Sequence, residues 1–157
     1  MKVLVLGGSR LMGKHLVLEL LKKGHDVTVA TRGIAKDDFG DKVGRIVVDR
    51  CSGESLKNNI PDVVWDVVFD NLAYCSNDVK NLLDVVKCKK YVQISSASVY
   101  YKLHNDTKEE EFDAGKKELL YCGRGDFEYD EIKRQAECAI VQEYSRIPAV
   151  RVRFPFV

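Results

Sequence analysis

KVLVLGGSRLMGKHL, residues 2–16, sets the reading of the whole chain. Val3 to Leu6 form an apolar run of strand type, and Gly7 and Gly8 break it. Met12, Leu16 and Leu20, with Val17 and Leu21, then recur four apart like one face of a helix, until Gly24 stops the pattern. A strand that turns sharply on glycine into a helix gathers free backbone N–H groups at the positive end of the helix dipole, and that place favours a phosphate. Gly7 and Gly13 hold the outer positions of a G-x-x-G-x-x-G spacing, the first suited to the tight turn and the last to close helix-to-strand packing. Arg10 stands where a middle glycine would let backbone approach a pyrophosphate. It is compatible with that role if its φ stays negative and its side chain turns outward, because only left-handed backbone demands glycine.

Working outward, apolar runs rich in valine and isoleucine recur at 3–6, 27–30, 46–48, 63–69, 91–94 and 149–152, as buried parallel strands do. Helical patterns separate several of them. One spans about 77–87, with Val79, Leu82, Leu83 and Val86 as its stripe. Another follows Asp126, where Tyr129, Ile132, Ala136, Ala139, Ile140 and Tyr144 keep the period. This alternation predicts right-handed crossovers and an α/β fold, a doubly wound parallel sheet of Rossmann type in three α/β/α layers, with residues 1–157 forming one domain. Residues 34–44 read as a polar connection. Residues 102–126 read as a long charged excursion with a short helix of its own, a solvated loop in the first instance, with cover for a ligand as the alternative.

Composition narrows the functional classes. The 157 residues are 45% apolar and 31% charged, and 25 Lys+Arg against 24 Asp+Glu leave no global field to attract nucleic acid or an anionic membrane. No run has the length of a signal core or a membrane span, so a cytoplasmic protein is expected. The five cysteines are scattered without a C-x-x-C pair, and His15, His25 and His104 are isolated, so neither a disulfide framework nor a metal site is expected. The serines of SSASVY do not stand in G-x-S-x-G, which leaves a hydrolase elbow unsupported.

The second run, HDVTVATRG, ends in Thr31, Arg32 and Gly33, where an NAD-selective sheet usually presents an acidic residue to the ribose hydroxyls. Arg10 and Arg32 near a ribose with no carboxylate beside them favour NADP over NAD, since guanidinium forks match phosphate oxygens.

With these landmarks in order, the chain resembles the extended short-chain dehydrogenase/reductase family, the NAD-dependent epimerase/dehydratase group. The loop GGSRLMG looks like the GGTRFxG variant of the subgroup that includes the chloroplast stem-loop RNA-binding proteins. The resemblance implies that Gly7, Gly8, Ser9, Arg10, Leu11, Met12 and Gly13 cradle the cofactor phosphates and that Asp49, in VVDRCSGESL, meets the adenine. Asn71, Leu72 and Ala73, in WDVVFDNLAY, would line the cofactor, with Asp70 and Tyr74 departing from the family's histidine and alanine. YVQISSASVYYK implies a catalytic Ser96, four residues before Tyr100, with Ser95 and Ser98 as fallbacks and Tyr101 in place of the usual glycine. YDEIKRQAE resembles Y-x-x-x-K-x-x-x-E and implies Tyr129 as general acid/base and Lys133 as its partner on the same helix face, holding the nicotinamide ribose. AVRVRFPFV resembles the family's sixth strand, with main chain near Pro155 meeting the nicotinamide.

The implied activity is hydride transfer of oxidoreductase type in a sugar-nucleotide epimerase, dehydratase or reductase, on a small-molecule substrate such as a nucleotide sugar. The family's smaller C-terminal substrate-binding part is expected to be absent from this chain, which would leave it incomplete for turnover. The alternative is a non-catalytic dinucleotide sensor, or a Rossmann protein that binds protein or RNA. No membrane or nucleic-acid partner is expected, and a homo-oligomer stays open.

Overall fold

A computed structural model describes residues 1–155. Among these residues the strands are β1 (Lys2–Leu6), β2 (Asp26–Thr31), β3 (Gly44–Val47), β4 (Val64–Trp65), β5 (Val67–Asp70), β6 (Lys87–Cys88), β7 (Tyr91–Ser96) and β8 (Ala149–Phe154). The helices are α1 (Leu11–Lys22), α2 (Gly53–Asn59), α3 (Ser76–Leu83) and α4 (Tyr129–Gln142). Six strands pair in parallel in the order β3-β2-β1-β5-β7-β8, a doubly wound sheet whose order reverses between β1 and β5.

Why the strand runs lack polar alternation is plain from β1. Val3 and Val5 pack with Val17 and Leu20 of α1 on one face, whereas Leu4 and Leu6 join Val68, Leu82, Tyr91 and Ile140 on the other. Both faces are covered, so every position from Val3 to Leu6 is apolar. The register sets Leu6 beside both Ala30 and Asp70, so Gly7 and Asn71 leave the sheet together, next to Thr31 at the end of β2.

Several elements differ from expectation. The run 63–69 is two strands, because the Asp66 carboxylate accepts from the Lys2 amide at 2.7 Å and pairs with Lys89 at 2.6 Å, and β4 leaves to pair with β6. The helix expected to reach 87 ends at Leu83, since Lys87 and Cys88 are needed for that pairing. α2 carries no apolar stripe to announce it; it rests on Leu56 and on a cap in which Ser52 accepts from the Ser55 amide.

α4 is not amphipathic in place. Lys133, Arg134, Gln135 and Glu137 are as buried as its apolar stripe, because Lys133 donates to the Ala73 and Ile94 carbonyls, Arg134 to those of Ser98 and Val99, Glu137 accepts from Ser95 and Arg153, and Gln135 bonds the excursion of residues 102–126. That excursion holds a 3-10 turn at Glu109–Glu111 and buries Phe112, Ala114 and Cys122 against the helix side of the sheet. Gln135 accepts from the Leu120 amide at 2.7 Å, and Arg153 donates to the carbonyls of Glu109 and Phe112. The excursion is thus anchored at Phe112, Ala114 and Cys122, while most of its residues stay exposed to solvent.

Candidate functional site

A cleft of about 500 Å³ opens at the switch point between β1 and β5. Gly7, in left-handed backbone at φ 78°, makes the turn out of β1. A Cβ on Gly13 would stand 2.0 Å from the Gly7 carbonyl oxygen, so α1 approaches the loop as closely as backbone allows. Arg10 is extended at φ −137°, and the left-handed residue is Leu11 at φ 45°, 85% exposed. The chain therefore turns without a middle glycine by moving the strained position one residue on, at a cost on the order of 1–2 kcal/mol. No side chain caps α1 and its first turn holds no acidic residue, so its leading amides stay open toward the cleft.

Of the residues the sequence nominated for the cofactor, Gly7, Ser9 to Gly13, Thr31, Arg32, Asp49, Asn71 and Leu72 all line this cleft. Gly8 lies outside the lining, where an added Cβ would run into Val17 and Val29. Ala73 and Pro155 also lie outside it, the first fully buried and the second exposed beyond β8. Asn71 ties the end of β5 to the loop by donating to the Gly7 carbonyl at 3.4 Å. Among the described residues, the side chains of Arg10 and Arg32 make no hydrogen bond or ion pair.

Ser96, Tyr129 and Lys133 do not line the cleft, and Tyr129 and Lys133 stand on neighbouring turns of α4. Ser96 ends β7, and its hydroxyl accepts from the Ser98 amide at 3.1 Å. Ser95, a fallback, donates instead to the buried Glu137 at 2.6 Å. Tyr129 opens α4 and is 44% exposed, whereas Lys133 is 3% exposed and donates to the carbonyls of Ala73 and Ile94 at 3.0 and 3.1 Å. The Lys133 ammonium lies 5.9 Å from the Tyr129 ring centre, with the Tyr74 ring closer, at 4.5 Å. Among the described residues no hydrogen bond joins Ser96, Tyr129 and Lys133 to one another.

Burial lowers the Lys133 pKa from 10.5 to about 8, against the pull of the Asp70 and Asp78 carboxylates. Between those values the unfolded chain binds the proton that the folded chain has released, so stability contributed at this site rises with pH across the window. From pH 7.5 to pH 10, urea denaturation should show the parent gaining about 2 kcal/mol relative to Lys133→Met. Equal slopes for both proteins would exclude a depressed Lys133.

Two arginines at the cleft, Arg50 and Arg124, had no signal in the sequence. Arg50 and Asp70 are buried with side-chain exposures of 5% and 0%, and form a two-point pair whose shorter contact is 2.5 Å. The Tyr91 hydroxyl and the Leu72 amide also donate to that carboxylate. Arg124, from the excursion, reaches the cleft over the Tyr74 ring. Asp70 and Tyr74 stood out as departures from the family pattern; the arginines that partner them are remote in sequence.

A family model described as NAD dependent epimerase/dehydratase family matches residues 3–81. The chain belongs to that family. Chloroplast stem-loop binding protein of 41 kDa b from Arabidopsis thaliana is 34% identical over 115 aligned residues, which take in 64% of this chain and 30% of that protein. Among solved structures, a UDP-galactose 4-epimerase superposes with a TM-score of 0.69 at 21% identity, covering 98% of this chain and 55% of the other. A dTDP-glucose 4,6-dehydratase from Bacillus anthracis in complex with NAD gives 0.63 at 17% identity, covering 98% and 54%. These similarities establish the Rossmann fold, and the chain spans about half the length of the solved relatives. No helix among the described residues is long and apolar enough to cross a membrane.

Proposed function

We propose that the cleft binds a nicotinamide dinucleotide and that the chain is the cofactor-binding part of an epimerase, dehydratase or reductase acting on a small molecule such as a nucleotide sugar. The observation that carries this reading is the glycine turn with open α1 amides at the switch point, on a chain of this family. In the proposed chemistry the nicotinamide supplies or accepts hydride when bound. Tyr129 moves the proton of the substrate oxygen, Ser96 hydrogen-bonds that oxygen, and the Lys133 ammonium steadies the charge on Tyr129. Equilibrium titration with NADH and NADPH tests the site, and submillimolar binding is expected for at least one of them. Tyr129→Phe should leave that binding within about twofold and reduce hydride transfer in the intact protein by roughly 10²-fold or more. Unchanged turnover would remove Tyr129 from the mechanism.

NADP is the favoured cofactor, because Arg10 and Arg32 are unpaired guanidinium groups on the cleft lining. Arg10→Gly and Arg32→Ala should each lower the preference for NADPH over NADH by about tenfold. A ratio unmoved by both would reject the 2′-phosphate reading. RNA binding has weaker support: of the compact basic group Lys87, Lys89 and Lys90, two are paired, Lys87 with Asp62 at 2.5 Å and Lys89 with Asp66 at 2.6 Å.

A further inference from the structure

We infer that Tyr74 and Arg124 decide which nucleotides the cleft accepts: as placed, they admit an adenosine diphosphate moiety and shut out the nicotinamide end. This rests on the cleft being a dinucleotide site. Its walls run from the glycine loop past the ends of β2 and β3 to Asn71 and Leu72, and stop at Tyr74 and Arg124. Ser96, Tyr129 and Lys133 contribute nothing to them. Tyr74 faces both regions. Its ring lies 4.6 Å from the Arg124 guanidinium and 4.5 Å from the Lys133 ammonium, and meets Tyr129 edge-on at 6.2 Å.

The stack is held at every member. Asp78, 5% exposed at its side chain, accepts from the Tyr74 amide at 2.9 Å and from Arg124 Nε at 3.0 Å. Arg124 Nη2 donates to the Leu72 carbonyl at 2.8 Å. The segment that delivers Arg124 is pinned just before it, where the Cys122 amide donates to Ser76 Oγ and Ser76 Oγ donates to the Leu120 carbonyl, both at 2.8 Å. Lys133 has its protons directed at two carbonyls and the face of Tyr74, so it meets a nicotinamide ribose only after Tyr74 moves. Arg124 Nη1 makes no hydrogen bond among the described residues and stands on the cleft, where a diphosphate oxygen is its natural partner. Each cation over the ring face favours the closed arrangement. An alanine at 74, as in the family pattern, has no ring to place there.

Calorimetric titration of the full chain with ADP-ribose and NAD⁺, and with their 2′-phosphorylated counterparts, tests this. In the parent, each dinucleotide should bind within about threefold of its ADP-ribose counterpart, because its nicotinamide finds no wall. Tyr74→Ala should tighten the dinucleotide relative to that counterpart by about tenfold, and Arg124→Gln, which keeps the ring but removes its clamp, by about threefold in the same direction. A parent that already prefers the dinucleotide by about tenfold overturns the inference, as does a ratio unmoved in both variants. Arg124→Gln decides alone if Tyr74→Ala fails to fold. Absence of binding by every nucleotide to every protein refutes the nucleotide cleft itself, and this inference with it.

Discussion

Gly13→Ala is expected to abolish nucleotide binding and to destabilise the fold by about 3 kcal/mol, at the upper end for overpacking. The added methyl would lie 2.0 Å from the Gly7 carbonyl oxygen, 3.0 Å from the Gly7 carbonyl carbon and 3.2 Å from Asn71 Nδ2. The first two are backbone atoms of the turn itself, so relief requires α1 to lift from β1 or the loop to unfold. Either movement takes the α1 amides away from the cleft. Thermal unfolding should show Tm lower by about 6–12 °C for a chain of this size, and calorimetry should show no heat of nucleotide binding. Gly24→Ala is the control: its φ is 73°, but nothing lies within 4 Å of the added methyl. That variant should lose about 1 kcal/mol to backbone strain and bind as the parent does. A Gly13→Ala protein with parental affinity would mean that phosphate does not sit on this turn.

Sequence periodicity carries what is local and repeated. β1, its glycine turn and α1 were legible because strand, breaker and helix follow one another within a short stretch, and the parallel sheet was legible because strands covered on both faces leave uninterrupted apolar runs. The lining residues of the glycine loop come from that same stretch. The Arg50–Asp70 pair spans 20 positions and the Arg124–Asp78 pair 46, and neither separation has a periodic signature. The buried polar side of α4 was invisible for a related reason. The partners of Lys133, Arg134, Gln135 and Glu137 come from distant segments: the Ala73 and Ile94 carbonyls, the Ser98 and Val99 carbonyls, the main chain of Glu118 and Leu120, and Ser95 with Arg153. The closed Tyr74 is of the same kind, since its position depends on Lys133 and Arg124 arriving from two distant elements.

Asp70→Ala should be the most damaging single change on the polar side of the cleft, costing about 3–5 kcal/mol in urea denaturation. Removing the carboxylate strands the buried Arg50 guanidinium, whose Nη1 already lacks a partner, and leaves the buried Tyr91 hydroxyl and the part-buried Leu72 amide without their acceptor. An ion pair so deeply buried adds little net stability against an apolar pair of similar volume, because desolvation offsets its attraction. Arg50→Met combined with Asp70→Leu should therefore return the fold to within about 2 kcal/mol of the parent, although each charge removed alone is costly. Binding separates the two outcomes further. Asp70 Oδ1 fixes the Leu72 amide at 3.0 Å, and the Leu72 side chain presses on Gly7, so the pair positions the wall opposite the glycine loop. The double variant should then unfold near the parental urea midpoint yet bind nucleotide about tenfold more weakly. If Asp70→Ala costs less than about 1 kcal/mol, water or another group reaches Arg50, and the pair does not hold the cleft floor.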